Sequence, residues 1–452
     1  MLNNANIICA ISTPTGSGAI SIIRVTGNNC LKVVNKMLHA KVSDKKQNII
    51  HKNKILYNNK IIDEIMISFF KNPKSYTGED MIEIYCHGSL FIQNKIMQTL
   101  IKHGIKVAKP GEFTMRSFLN NKLNLSEAEA VCDLINAENE AAHALAVKQL
   151  RGGVSNEINI LRQDLINFAS LIELEIDFSE EDVEFVDRKK LISLLNKIEF
   201  KINNLIKSFK YGNAIKEGIP VVIAGKPNVG KSTLLNCFLK EEKAITSSIA
   251  GTTRDIIEDK INIDGYDFRF FDTAGIRKAK GKIEQLGVEK SLQKINQSDL
   301  IIYIIDMSSS KHKIEEEIKN IKNKYTDKNI IIVGNKIDLN KSIKNINNFQ
   351  NIVSVSAKNK KNIEKIIDKI KKYIIMNNQN NNTIISNARH FECLSLAREN
   401  IMSAKKGIEQ NLSQDLISID IKNILSNLGE IAGEVSNEDI LNNIFKNFCI
   451  GK

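Results

Sequence analysis

The chain has 452 residues, 42% of them hydrophobic, and carries 64 Lys and Arg against 52 Asp and Glu, a formal charge of +12. At about 150 residues per domain this length predicts about three units, with ample apolar material for packed cores. No run of about 18 apolar residues occurs, and MLNNANIICA lacks the basic region, long apolar stretch and cleavage site of a signal peptide, so a cytoplasmic protein with no membrane segment is expected. The seven cysteines stand singly with no C-x-x-C spacing, which reads as reduced thiols. The seven histidines form no H-E-x-x-H or related cluster, which argues against zinc. The positive charge suits a nucleic-acid partner. Yet the chain is saturated with Ile, Lys and Asn, as a strongly A+T-biased genome produces for any function, and its lysines are spread along its length. Charge alone leaves both readings open.

In chain order, residues 1–120 read as mixed α/β. Ala19 to Val25 and Ile61 to Phe70 are rich in β-formers, Met81 to Tyr85 alternates, and Ser89 to His103 has helical spacing. The character changes at Ser126, which with Glu129 forms an S-x-x-E capping box ahead of a helical stretch reaching Leu150. Arg151-Gly152-Gly153 breaks that stretch; helical periodicity resumes through Ile176 and again from Arg188 to about Lys210, and Gly212 and Gly218 bracket the entry to the next unit. The carboxylates from Glu173 to Glu184 follow no metal-ligand pattern and are expected to form a solvated helix end and loop. A nucleotide-binding unit then runs to about Met376, the polar tract Asn377 to Asn382 reads as a linker, and helices follow, ending in a capped segment from Ser436 to Phe448. Helical pieces on both sides of the nucleotide unit suggest one helical domain into which that unit is inserted. Two separate helical pieces remain the alternative, although short helices need partners to bury a face. The expected fold class is α/β plus α: an N-terminal α/β domain at 1–120, a central helical domain in two parts at 121–213 and 377–452, and a Ras-like P-loop G domain at 214–376 inserted between them.

The most specific signal is Gly225 to Ser232, GKPNVGKS, which matches G-x-x-x-x-G-K-[ST] between the apolar run Ile219 to Ala224 and the helix-prone TLLNCFL. Backbone N–H groups of such a loop cradle phosphate oxygens, helped by the positive end of the following helix. Lys231 is expected to reach the outer phosphates and the Ser232 hydroxyl to hold Mg²⁺. Asp272-Thr273-Ala274-Gly275 follows the strand Phe268 to Phe271, with an aspartate for Mg²⁺ through water and a glycine N–H for the γ-phosphate. Asn335-Lys336-Ile337-Asp338 follows the apolar strand Ile330 to Val333. A carboxylate there accepts both N1–H and the exocyclic amine of guanine, a donor pair adenine lacks, so the nucleotide is GTP. Ser356-Ala357-Lys358, after Ile352 to Val355, backs the base from the other side. Asp264-Gly265 between two short β runs signals a hairpin, so the sheet is expected to be mixed, with one antiparallel edge strand. The GTP-binding set is Asn228, Val229, Gly230, Lys231, Ser232, Thr233, Ser247, Thr252, Thr253, Asp272, Thr273, Ala274, Gly275, Asn335, Lys336, Asp338, Ser356, Ala357 and Lys358.

Ras-type GTPases place a water-orienting glutamine just after D-x-x-G. Here that position is Ile276. Another group must orient the water. Asn228 and the stretch Gly251-Thr252-Thr253-Arg254-Asp255 supply oxygen ligands close to the β- and γ-phosphates, which suits a monovalent cation in place of an arginine finger.

With these motifs in place, the chain resembles the MnmE (TrmE) tRNA modification GTPases along essentially its whole length. The segments carrying the resemblance include ITSSIAGTTRD, DTAGIRKAKGKIEQLG, TGEDMIEIYCHG, KPGEFTMRSFLNNKLNLSEAEA and the C-terminal FCIGK. The resemblance implies an N-terminal α/β domain that binds a formyl- or methylene-tetrahydrofolate and makes a homodimer, a helical domain, and a G domain inserted into it. It implies an FAD-containing MnmG-like partner in a heterotetramer, and installation of an aminomethyl-type (carboxymethylaminomethyl) group at C5 of the tRNA wobble uridine. It places Asn228, Ser247, Ile249 and Thr252 on K⁺ positions, Ser232 and Thr253 on Mg²⁺ positions, and Glu284 on the glutamate that orients water through a relay. Ser247 departs from the threonine expected there, but keeps an oxygen available. For the folate, the matching positions are Arg24, Glu83, Lys122 and Lys452; Glu83 suits pterin N–H donors, and the cations suit carboxylates. On its own residues Arg24 also reads as the solvated end of an apolar strand. Cys449 has two readings, a buried terminal thiol or a participant in the modification chemistry. A regulatory or ribosome-assembly GTPase switch without folate chemistry is the alternative function; it would carry a second G domain or a KH-like G-x-x-G module, and neither is evident in the sequence.

Overall fold

The computed structural model describes residues 6–44, 47–177, 187–241, 259–270, 298–326, 328–339, 352–378, 383–434 and, near the end, 441, 444–446 and 448–451. The chain divides into two compact units, one of residues 1–135, 147–196 and 396–452, the other of 136–146 and 197–395. Among the described residues, no helix is long and apolar enough to cross a membrane.

In the first unit, β1 (Ile8–Ile11), β2 (Ile20–Thr26), β3 (Ile50–Tyr57), β4 (Lys60–Phe70), β5 (Met81–His87) and β6 (Lys106–Val107) form one sheet in the order β3-β4-β5-β2-β1-β6. β1 and β6 pair in parallel and the other neighbours are antiparallel. β3 and β4 join through Asn58 and Asn59, both left-handed at φ 49° and 59°, as a two-residue hairpin with right-twisted strands requires. Helices α1 (Cys30–Val34) and α2 (Leu90–Lys102) accompany the sheet; Ile96 and Leu100 of α2 are fully buried with Ile23, Ile67, Ile82 and Ile84. The helices that follow in chain order are α3 (Glu112–Leu119), α4 (Leu125–Ile135) and α6 (Gly153–Asp177) of this unit, α5 (Glu140–Leu150), most of which belongs to the second unit, and α7 (Arg188–Glu217), which begins in the first unit and continues into the second.

Three details of the helical region differ from the sequence reading. The reciprocal capping box is built by Asn124 and Glu127, not Ser126 and Glu129: the Glu127 N–H donates to Asn124 Oδ1 and the Asn124 N–H to Glu127 Oε2, both at 2.9 Å. An asparagine at this position caps as well as a serine and starts the helix earlier, leaving Ser126 buried inside α4. The stretch to Leu150 is two helices, because Asn139 starts a second one by accepting from the Ala142 N–H at 2.8 Å. Finally, α7 runs on past Lys210 and carries Gly212 in its interior. That glycine is there for close approach, since a Cβ would lie 2.1 Å from the Ile385 carbonyl oxygen. Of the acidic stretch, Glu173 pairs with Lys422 at 2.9 Å, and residues 178–186 lie outside those described.

In the second unit, β7 (Ile219–Gly225), β8 (Asp259–Ile263), β9 (Tyr266–Phe270), β10 (Leu300–Asp306), β11 (Asn329–Asn335) and β12 (Ile352–Ser354) form a sheet in the order β12-β11-β10-β7-β9-β8. Every pairing is parallel except the edge hairpin β8–β9, which turns at Asp264 and Gly265 with φ 57° and 81°. The mixed sheet expected from the Asp-Gly signal is present. Helices α8 (Lys231–Glu241), α9 (Lys311–Lys324) and α10 (Glu364–Asn378) belong to it. After α10 the chain continues into α11 (Ala388–Glu409) and α12 (Gln414–Ala432), the latter back in the first unit. The two ends of the insertion are pinned together. Phe209 of α7 stacks on Phe391 of α11 with ring centroids 4.7 Å apart, and the Ile385 N–H donates to the buried Ser208 Oγ at 3.1 Å. In chain order the sheet-based domain is thus an insertion within the helical one. The fold is α/β plus α, with a P-loop domain inserted into the helical domain.

Candidate functional site

The carboxyl ends of β7, β10, β11 and β12 carry four loops, and parallel pairing brings them to one edge of the sheet. β7 leads into Gly225 to Ser232. Gly225 has φ 146°, and a Cβ there would lie 2.4 Å from the Ile304 carbonyl oxygen, so only glycine lets the loop leave this close to β10. Asn228 sits at the exposed crest with φ 62°, a left-handed conformation asparagine tolerates. Val229 is buried beneath the loop, and Gly230, at φ 101°, passes so close to Asn335 that a Cβ would meet its Nδ2 at 2.3 Å. Lys231 opens α8, and Ser232 and Thr233 follow in its first turn, half-buried and exposed respectively. The Lys231 ammonium donates to the carbonyls of Gly225 at 2.8 Å and Lys226 at 2.7 Å, which leaves one of its three N–H bonds for a ligand. Burial lowers its pKa.

Asn335 organises the cluster. It is 4% exposed, its Nδ2 donates to the Val229 carbonyl at 2.8 Å, and its Oδ1 accepts from the Ala357 N–H at 2.9 Å. One side chain therefore ties the phosphate loop to the Ser356-Ala357-Lys358 loop. Cys237 of α8 adds a second tie, its thiol donating to the Ala357 carbonyl at 3.1 Å. The Ser356 hydroxyl donates to Asp338 Oδ1 at 2.6 Å and lowers the Asp338 pKa, keeping that carboxylate ionised and aimed. Lys358 is exposed at the rim. The cluster thus presents N–H groups and an ammonium at one end and an oriented carboxylate at the other, the polarity a nucleotide with a donor-bearing base requires.

One member was missed by sequence reasoning. Asp306 ends β10, opposite Asn335, and its Oδ2 lies 2.6 Å from Lys336 Nζ. Burial alone would raise its pKa, but the Lys336 and Ser308 hydrogen bonds outweigh that and hold the carboxyl below its usual range. The available signal was an aspartate closing the apolar run LIIYIID, in the position where parallel strands deliver site residues. Ser247, Ile249, Thr252, Thr253, Asp272, Thr273, Ala274, Gly275, Ile276 and Glu284 lie outside the described residues. Of the positions expected to hold cations, Asn228 and Ser232 are described, and both offer side-chain oxygens, as hard cations require.

The second cluster lies in the first unit. Arg24 and Glu83 face each other across β2 and β5, with Arg24 Nε 2.8 Å from Glu83 Oε1. Tyr85 donates its phenol to Glu83 Oε2 at 2.6 Å, and the Arg24 guanidinium lies over the Tyr76 ring at 5.6 Å. Burial and the bond to Glu83 push the Tyr85 pKa up to about 12. Arg24 is therefore not a solvated strand end: β2 is an interior strand, and the side chain is 21% exposed. Each oxygen of Glu83 already accepts one hydrogen bond, so any pterin donor must use a remaining lone pair. Lys122 is exposed and donates to the Pro73 carbonyl at 3.2 Å, on the segment that leads to Tyr76. The end of the chain lies against β1, with Ser12 Oγ donating to the Gly451 carbonyl at 3.1 Å. Gly111, ahead of α3, donates its N–H to the Cys449 carbonyl at 3.4 Å. The Cys449 thiol is exposed, which removes the buried-thiol reading. Lys452 lies outside the described residues.

Comparison with known proteins matches the same regions. The family model of the MnmE helical domain matches residues 125–449, and that of the GTP-binding protein TrmE N-terminus matches residues 7–122. The chain is 48% identical over 469 residues to the tRNA modification GTPase MnmE of Flavobacterium johnsoniae, covering 100% of both. It is 48% identical over 456 residues to that of Flavobacterium psychrophilum, with 98% of this chain and 99% of the relative covered. With the Bacteroides thetaiotaomicron protein it shares 44% over 469 residues, covering 99% and 100%.

Proposed function

We propose a function from one premise, that the chain belongs to the MnmE family of tRNA modification GTPases. It is a P-loop GTP hydrolase. Our reading is that hydrolysis is stimulated by K⁺ and serves modification of the tRNA wobble uridine at C5. A homodimer of this chain, in the cytoplasm, acts with an FAD-containing MnmG-like partner and a formyl- or methylene-tetrahydrofolate to install an aminomethyl-type group. The proposed domains are 1–120 for folate binding and dimerisation, 121–213 and 377–452 for the helical body, and 214–376 for the G domain.

The observation that carries the nucleotide part is the Asn335 bridge between Val229 and Ala357, with Asp338 oriented beside it. It ties a phosphate-binding loop to the loop beside a guanine-selecting carboxylate, and a tie of this kind lessens the ordering that opposes binding. Lys231 and the N–H groups opening α8 take the phosphates, and Asp338 and the Ala357 loop take the base. Ser232 and Thr253 would hold Mg²⁺, and Asn228, Ser247, Ile249 and Thr252 would hold K⁺; these ions supply positive charge against the charge developing on the phosphates. Glu284 orients the attacking water through a relay, the task Ile276 has no polar atom to perform. Glu284→Ala is expected to abolish K⁺-stimulated hydrolysis with GDP affinity nearly intact; an equal loss of affinity would mark the residue as structural.

For the folate, the Arg24–Glu83–Tyr85 set beside the Tyr76 ring supports a site for a flat heterocycle bearing donors and carboxylates. Lys122 and Lys452 complete its cationic side, and Cys449, exposed near the end of the chain, is a candidate for the modification chemistry. Nucleoside analysis of tRNA from cells lacking the protein tests the reading as a whole. Loss of the C5 modification is expected; unchanged wobble uridines would overturn it in favour of a regulatory switch.

A further inference from the structure

We propose that Asp306 is a positioning residue of the guanine pocket, acting through Lys336 and not by touching the nucleotide. The inference rests on the reading of this cluster as the GTP site and adds to it a residue from a fourth loop.

Lys336 has φ 65°. A side chain with a Cβ pays about 1–2 kcal/mol to sit in the left-handed region, and lysine has no local hydrogen bond with which to offset it. Something nearby must hold the residue in that conformation. Asp306 is the group in place to do so. Its backbone stands opposite Asn335 in the β10–β11 register, and the Met307 N–H donates to the Asn335 carbonyl at 2.9 Å, fixing the two loop starts side by side. Its carboxylate is divided between two tasks. Oδ1 accepts from the Ser308 N–H at 2.9 Å and the Ser308 hydroxyl at 2.6 Å, which sets the plane of the carboxylate. Oδ2 is then left to face Lys336 Nζ at 2.6 Å.

The consequence follows from what a lysine becomes when its head is tied down. Its charge is neutralised at the tip, and its four-carbon stem is laid out as an apolar surface. In the chain, Lys336 follows Asn335, whose side chain joins the two loops, and precedes by two residues Asp338, whose carboxylate is aimed by Ser356. A flat apolar stem beside an aimed carboxylate accepts the face of a purine while the carboxylate reads its edge. Face and edge are separable. Asp306 governs the first and Asp338 the second.

The test uses the full-length protein with GDP and IDP, which differ only in the exocyclic amine that Asp338 reads. Asp306→Asn is expected to weaken both nucleotides by the same factor, roughly five- to tenfold, and to leave their ratio unchanged. In steady state it raises KM for GTP and leaves kcat at saturation unaltered. Asp338→Asn, in contrast, changes the GDP to IDP ratio. In a Lys336→Met background, Asp306→Asn adds no further loss, because the residue it works through is gone. Ser308→Ala, which frees Oδ1 and loosens the carboxylate, gives a smaller loss in the same direction and keeps the test available should Asp306→Asn fold poorly. GDP affinity within twofold of wild type in both Asp306→Asn and Ser308→Ala, a changed GDP to IDP ratio in Asp306→Asn, or losses that multiply in the double variant would each overturn the inference. Failure of the wild-type chain to bind GDP would overturn the underlying reading of the site, a result distinguishable from the others.

Discussion

The two polar clusters of this molecule are built on opposite plans. In the nucleotide cluster the decisive bonds run from a side chain to backbone: Asn335 to the Val229 carbonyl and the Ala357 N–H, Lys231 to two loop carbonyls. In the N-terminal cluster they run from side chain to side chain across strands, Arg24 to Glu83 and Tyr85 to Glu83. The first plan fixes the course of loops and leaves charged tips available. The second balances charges on a sheet whose course is already fixed by its ladder, so a ligand must share or compete for groups already engaged. Backbone-shaping residues should therefore be costly to lose in structure and affinity together, whereas the charge-balancing ones should be felt locally.

The largest expected effect is that of Asn335→Ala. Truncation leaves the Val229 carbonyl and the Ala357 N–H unpaired in a buried place, at about 1–3 kcal/mol each. GDP affinity should fall by roughly a hundredfold or more, and hydrogen exchange of the loop amides on both sides should accelerate. Affinity within tenfold of wild type would break the claim that this bridge sets the site. Glu83→Gln should cost less, about 1–2 kcal/mol, because Arg24 is 21% exposed and water can take over part of its solvation. Exchange should accelerate in β2 and β5 amides only, with GDP binding untouched. An effect on GDP binding would mean that the comparison separates regions that are in fact coupled.

The smallest effect is in pH dependence, and the two clusters fail on opposite sides. Tyr85, with its pKa raised from 10.0 to about 12, contributes stability that is whole below about pH 10 and is lost as pH rises toward 12. Asp306 and Asp338, with pKa values lowered from 3.8, contribute above that value and lose their contribution as pH falls below it. In a spectrophotometric titration, Tyr85→Phe should remove a tyrosinate step near pH 12 and none near pH 10. Loss of a step near pH 10 would show that Glu83 does not hold the phenol.

The difference in plan also explains what the sequence made legible. The nucleotide loops could be found because each motif is contiguous and follows an apolar parallel strand, so chain order alone gathers them at one sheet edge. Asp306 escaped because its partner is thirty positions away and its own neighbours, Met307 and Ser308, form no motif. Arg24 and Glu83 were reached through resemblance and not through spacing; only the β2–β5 register brings them together, and nothing local announces it. The helix boundaries erred at two asparagines: Asn124 took the role assigned to Ser126, and Asn139 opened a second helix inside a stretch read as one. They erred again where Gly212 served helix packing in place of a turn.

The proposed function has an oxygen-rich loop take a monovalent cation in place of an arginine finger, and the most direct test is the rate of GTP hydrolysis in K⁺ against Na⁺ at equal ionic strength. The expected result is a kcat higher by about tenfold or more in K⁺, with GDP affinity the same in both salts. Equal rates in the two salts would contradict it.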